Sequence, residues 1–423
     1  MNQQVMDVCT GLLKSELRVA MGCTEPIALA YCAAYARTVL GKMPDRFELR
    51  CSGNIIKNVK AVTVPKTGGL KGIEAAVLSG AVSGRADLEL EVLSVLSDDD
   101  RVKLGRLLGK GMVKIELLDT SHTLHIVLNV YAGNDSASVE IIDTHTSIGR
   151  VTHNGVTLHT RGEQKIQEPR LDRGLLSVKA ILSYAETVPL EDVNDVLRRQ
   201  IECNTAISED GLAQPWGERV GDTLTQADNA ASLYCSLKAA AAAGSDARMN
   251  GCALPVVINS GSGNQGLTAS LPVICYAKAK GCDEEKILRA LCVSNLVAIH
   301  QKTVIGYLSA YCGAVCAATG SAAAIAWLEG ADYQCIVNTI INSIATVGGM
   351  VCDGAKSSCA SKIAVALESS LLGYEMAKKG RVFRDGEGLV KEDVEETIAN
   401  VGRMASRGMR QTDTEILNIM IGG

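Results

Sequence analysis

Aromatic side chains are scarce. They make up 3% of 423 residues, with only two Phe and two Trp. That is too few for a base-stacking surface and argues against a sugar-stacking site. A basic excess is also missing. The net charge is −5, which leaves no electrostatic footprint for nucleic acid. No apolar run reaches the roughly 18 residues a membrane span needs. The opening segment MNQQVMDVCTGLLKSELRVA lacks a charged stretch followed by an apolar one. No export signal is therefore expected, and a cytoplasmic location is. With 47% hydrophobic and 21% charged residues the chain is not disordered.

Cysteine, by contrast, is abundant, with fifteen in the chain. In a reducing compartment a disulfide framework is not expected, and the odd count argues against full pairing. About ten of them read as small buried hydrophobes. The question is which of the others carry chemistry.

The chain divides by pattern. Two helices are expected over Gln3–Ala20 and from Thr24 to Leu40, with Thr24 as N-cap and Pro26 in the first turn. Cys23 then lies just ahead of a helix N-terminus, where the dipole favours a thiolate. Residues 45–80 show strand-like alternation broken by glycines. LELEVLSVL, VKIELLDT, LHIVLNVYA and SASVEIIDT read as strands, with a helix at Asp98–Leu108 after the first. From about residue 168 the pattern is helical and rich in Ala and Gly. The expected class is α+β: a mainly helical catalytic core of residues 1–80 and 168–423, with a small α/β domain inserted at 81–167.

Cys312, Cys352 and Cys359 have the spacing C-x39-C-x6-C, the last two on a Gly/Ser-rich loop. Iron–sulfur clusters are held by Cys thiolates, and three of them leave one iron open as a Lewis acid. Adding Cys316 gives a rival, a closed four-thiolate zinc site. The segment Val256–Gly266 contains G-x-G-x-x-G at Gly261, Gly263 and Gly266. A dinucleotide fingerprint is rejected, because Pro272 interrupts the helix that should follow and no ribose-binding acid is evident. The local reading is an anion-binding nest of the Ser262–Gly266 amides with the Ser260 and Ser262 hydroxyls. None of the six His pairs at a metal spacing. Lys57, Lys60 and Lys66 leave a Schiff-base lysine for pyridoxal phosphate as a minor alternative.

Five segments in order resemble one family: MGCTEPIALAYCAA, CSGNIIKNVKAVTVPKTGG, LPVVINSGSGNQG, YCGAVCAATGSAAA and VCDGAKSSC. The chain resembles the L-cysteine desulfidase (cysteine desulfhydrase) family, related to the iron–sulfur L-serine dehydratases. The dehydratases resemble it mainly in the last third. Their ligand pattern is C-x41-C-x10-C with Asp after the second Cys, as Asp353 is here. Their serine/histidine loop is replaced by Gly22-Cys23-Thr24-Glu25-Pro26, which favours cysteine as substrate.

The resemblance implies a 4Fe–4S cluster on Cys312, Cys352 and Cys359, with Cys23 as catalytic base or exchangeable fourth ligand. The expected reaction is β-elimination of L-cysteine to sulfide, ammonia and pyruvate, a carbon–sulfur lyase activity. Thr24, Glu25, Asn54, Lys57, Asn58, Ser260, Ser262 and Asn264 are the expected substrate contacts. The alternatives are an iron–sulfur L-serine dehydratase and a non-catalytic protein with a zinc or redox-sensing cluster. The partner expected is a small amino acid, with neither nucleic acid nor membrane, and small-residue helix faces allow contact between copies.

Overall fold

A computed structural model describes residues 2–161, 171–227 and 231–422. The expected domain boundary at 167–168 lies outside the described residues. The molecule is mainly helical, with one six-stranded sheet and one two-stranded ribbon, as the α+β reading expects. Among the described residues no helix is long and apolar enough to cross a membrane.

The sheet runs Val113–Leu117, Arg46–Cys51, His125–Ala132, Asp135–Ile142, Ile148–His153 and Val156–Thr160 from edge to edge. The first pair is parallel and the others antiparallel. Arg46–Cys51 thus lies inside the sheet, although its sequence position precedes 81. The parallel pairing requires a crossover, and the helices Gly53–Val59, Gly72–Ser83 and Asp98–Leu108 fill it. Along His125–Ala132 buried and half-exposed residues alternate, so one face is covered. The helix Thr24–Leu40 packs on that face and against Gly72–Ser83.

Three local expectations need correction. LELEVLSVL is no strand: Ala86–Glu91 is a 3-10 helix kinked at Glu89 (φ +43), and Leu90, Val92, Leu93 and Leu96 are all buried. Burial on successive residues is incompatible with a half-exposed strand. The first helix stops at Glu16, and Val19–Met21 pairs antiparallel with Pro255–Val257. Pro272 does not interrupt its helix, which runs unbroken from Gly263 to Ala279. One missing backbone hydrogen bond is tolerated there among buried neighbours from Gln265 to Ile274. The dinucleotide reading still fails, because Pro255–Val257 belongs to a two-stranded ribbon and not to a parallel sheet.

Small residues set the helix separations. A Cβ on Gly80 would fall 1.9 Å from the Ala30 carbonyl oxygen, so Thr24–Leu40 and Gly72–Ser83 touch through backbone. A Cβ on Gly320 would fall 2.3 Å from the Ser294 oxygen in the same way. Overpacking such a contact costs roughly 1–3 kcal/mol or more. Gly80→Ala is therefore expected to destabilise the protein by about 3 kcal/mol, measured as a lower urea midpoint at unchanged slope.

Candidate active site

Four helices begin at one cavity. They are Thr24–Leu40, Gly263–Ala279, Gly313–Leu328 and Cys359–Ala377. Their first turns bring Cys23, Ser262, Cys312 and Cys359 to its wall, and Cys352 joins them from the loop before the last helix. Cys23, Ser262 and Cys312 are N-cap residues whose side chains make no capping bond. None of those side chains is spent on its own helix end, and the orphan amides there give the cavity a positive potential.

The thiols are fixed by backbone pairing. Tyr311 and Val351 form an isolated antiparallel bridge; Cys312 N donates to Met350 O at 2.9 Å and Cys352 N to Ala310 O at 2.6 Å. Asp353 ties the loop further, accepting from Lys356 Nζ at 2.5 Å and from Lys362 Nζ. Lys362 Nζ also donates to Val351 O at 2.7 Å. Burial pushes Asp353 up, but the hydrogen bonds from Lys356 and Lys362 outweigh it and bring its carboxyl down to about 2. Burial, then the neighbouring Cys352 sulfur, pushes the Cys312 thiol up to about 12. Burial also raises Cys359. Metal binding at such thiols must displace protons.

Among the described residues no three His, Cys, Asp or Glu side chains gather tightly enough to hold a single metal ion. Cys312, Cys352 and Cys359 nevertheless share one cavity wall, and thiolates are the ligands an iron–sulfur cluster takes. Cys316, the fourth ligand of the zinc alternative, is buried in the helical core and does not line the cavity.

Among the described residues Glu25 is the only carboxylate on the cavity wall. Its Oε1 accepts from Asn58 Nδ2 at 2.9 Å, and its Oε2 from Thr24 Oγ1 at 3.0 Å and Cys23 Sγ at 3.4 Å. This changes the expectation for Cys23. The helix N-terminus is present, but burial first and Glu25 second hold the thiol well above the usual range, against the lowering by Arg248. In the metal-free protein Cys23 is a thiol, not a thiolate.

Thr24 does not line the cavity; besides Glu25, its hydroxyl donates to Gly261 O at 2.8 Å. Asn264 and Ser262 line it. Ser260 turns away, with φ +47 and its hydroxyl on Asn259 Oδ1 at 2.9 Å. Residues Asn259–Ser262 form a tight hairpin turn, closed by both backbone bonds between its ends. Asn54 lies in a separate cleft beside the helix Arg410–Ile421. Lys57 is fully buried, bonded to Asp413 and to Cys352 O at 3.3 Å, and does not line the cavity.

Sequence reasoning missed Arg248, Lys302, Gln265, Tyr311 and Lys362, all on the wall. Arg248 and Lys302 are buried, and among the described residues neither forms an ion pair. Arg248 Nε donates to Gly22 O at 2.9 Å, and a Cβ on Gly263 would strike its guanidinium at 2.2 Å. Lys302 Nζ donates to Tyr307 O at 3.2 Å, and burial lowers its pKa. Asn264 Oδ1, Gln265 Oε1 and Tyr311 Oη are buried without a hydrogen-bond partner. Unsatisfied polar groups of this density are costly unless a ligand completes them. Arg248 sits in the last turn of the Ala-rich helix Leu233–Met249, where the sequence carries no mark that sets it apart from a solvent-facing cation.

A family model described as serine dehydratase alpha chain matches residues 87–418. A UPF0597 protein of Lachnoclostridium phytofermentans is 48% identical, over 97% of this chain and 98% of its own. One of Desulfitobacterium hafniense is also 48% identical, over 97% and 95%. One of Treponema denticola is 46% identical, over 97% and 96%.

Removing the Glu25 charge has a defined consequence for Cys23. In metal-free protein, alkylation of Cys23 is expected to stay slow up to pH 9, as for a thiol held above the usual thiol value of ~8.5. Glu25→Gln moves the onset to lower pH. Peptide-resolved alkylation across pH checks this, and an unchanged profile would remove Glu25 as the thiol's partner.

Proposed function

Because the chain belongs to the serine dehydratase alpha-chain family, we propose that it is an iron–sulfur lyase acting on a small β-substituted amino acid, with L-cysteine as substrate. The observation that carries this reading is the meeting of Cys23, Cys312, Cys352 and Cys359 at one cavity with buried Arg248, which forms no ion pair among the described residues. Cys312, Cys352 and Cys359 would hold a 4Fe–4S cluster. When bound, it supplies an iron without a ligand from this trio, a Lewis acid for the leaving group.

The chain's own residues do the rest. Arg248 and the N-terminus of Gly263–Ala279 bind the substrate carboxylate, a charge-assisted contact reinforced by the helix dipole. Asn264 Oδ1 and Gln265 Oε1, both without partners among the described residues, accept from the substrate amine. Glu25 Oε2, 3.4 Å from Cys23 Sγ, accepts the thiol proton once positive charge in the loaded site offsets the burial and the Glu25 charge that hold the thiol neutral, and the thiolate removes the α-proton. The Cα–H pair becomes the double bond as the Cβ–S bond breaks. Hydrosulfide leaves with that bond's electrons, and the 2-aminoacrylate released hydrolyses to pyruvate and ammonia. Thr24 and Asn58 orient Glu25 and do not themselves need to touch substrate. A cytoplasmic location suits an oxygen-sensitive cluster.

L-serine is the second reading, favoured by the family's description. The two separate in one experiment on anaerobically purified protein. The expected result is about four iron and four acid-labile sulfide per chain, with pyruvate formed from L-cysteine faster than from L-serine. The reverse preference selects the dehydratase. One zinc and no pyruvate from either would overturn both. Arg248→Gln is expected to raise KM for L-cysteine by about 10- to 100-fold, the loss of one charged hydrogen bond or two, with the iron content unchanged.

A further inference from the structure

We propose that Asp413, on the C-terminal helix Arg410–Ile421, is a positioning residue that holds the Cys352 loop in place through Lys57. The functional consequence rests on the reading of Cys352 as a cluster ligand; the contact itself does not.

Lys57 is 1% exposed and lies on the short helix Gly53–Val59. A buried ammonium is costly without partners. It has two: the Asp413 carboxylate and the Cys352 carbonyl oxygen, the latter at 3.3 Å. The other face of the contact is equally close. Gly354 has φ +95, and a Cβ there would fall 2.4 Å from the Lys57 carbonyl oxygen. The helix Gly53–Val59 is thus pressed between the cysteine loop and the C-terminal helix.

The C-terminal helix is fastened to it at two more points. Lys60 Nζ donates to Met420 O, and Leu417 fills the notch left by Gly53, where a Cβ would meet its Cδ2 at 2.4 Å. The other lysines near the loop are engaged elsewhere: Lys356 and Lys362 with Asp353, Lys362 also with Val351 O, and Lys302 with Tyr307 O. Lys57 is therefore the donor that fixes the Cys352 carbonyl from outside the loop. Without Asp413, its ammonium would keep one neutral partner only and swing toward solvent, releasing that carbonyl.

The test uses iron-free full-length protein and timed iodoacetamide labelling, read at each cysteine by mass spectrometry. Asp413→Asn is expected to speed labelling of Cys352 about tenfold, with Cys312 and Cys23 changing less than about twofold. Asp413→Glu restores the original rate. No change at Cys352, or an equal gain at all three thiols, overturns the proposal. If Asp413→Asn does not fold, the double variant Lys57→Met/Asp413→Leu removes the pair while keeping its volume. It must still speed Cys352 selectively, and an unchanged rate overturns the idea. Iron retention under chelator after reconstitution separates the two readings. Faster labelling with faster iron loss supports both. Faster labelling with unchanged iron retention keeps the brace and removes Cys352 as a ligand.

Discussion

Four helix N-termini aimed at one small cavity are the constraint on which the rest of this structure depends. Each helix start leaves backbone amides without intrahelical partners, and their dipoles add. Such a place favours anions: thiolates, a carboxylate, or both. Bringing four helix ends together requires the helix bodies to pack closely behind them. Gly80 against Ala30, Gly266 against the Val257 carbonyl and Gly320 against Ser294 are contacts that no side chain could occupy. The Ala- and Gly-rich composition and the near absence of Phe and Trp follow from the same geometry.

The cavity also gathers buried cations. Arg248 and Lys302 line it without counter-ions among the described residues, and Lys362 lines it bonded to Asp353. Burying unpaired charge opposes folding, and burial accordingly lowers the Lys302 pKa. With Glu25 as the single acid on the wall among the described residues, the balance is positive until thiols lose protons to a metal or a carboxylate enters. The orphaned amide oxygens of Asn264 and Gln265 call instead for a donor such as an ammonium. The protein is folded around a deficit of negative charge that its ligands would supply.

Much of this was legible in the sequence, and for identifiable reasons. The helix at Asp98–Leu108 and the strands beginning at Val113 and His125 carry local patterns that tertiary context left intact. The cysteine trio was legible because Gly and Ser flank it, and Cys23 because Thr24-Glu25-Pro26 marks a helix start. Position along the chain misled elsewhere. Arg46–Cys51 enters the interior of the sheet, and LELEVLSVL alternates like a strand yet is buried on consecutive residues. Lys57 looked like a substrate contact because polar residues cluster near it; its actual partner, Asp413, is 356 residues away in the chain. Arg248 and Lys302 sit inside apolar helices, where only the three-dimensional neighbours distinguish a ligand-facing cation from a surface one. The state of Cys23 depended on burial and on one carboxylate, terms that a helix-dipole argument does not contain.

The choice between a thiol and a hydroxyl leaving group has a physical basis in the same wall. A serine hydroxyl is strongly hydrated and, once buried, costs free energy unless it donates and accepts. A cysteine sulfur is soft and weakly hydrated, and tolerates apolar surroundings. The cavity wall includes Leu308, Ala314, Ala355 and Ile363, and the Gln265 amide lies against Gly313, next to Cys312. On the reading proposed above, these aliphatic neighbours suit the sulfur of L-cysteine better than the hydroxyl of L-serine. The two substrates differ by one atom, so the discrimination must come from which side of the cavity pays the desolvation of that atom.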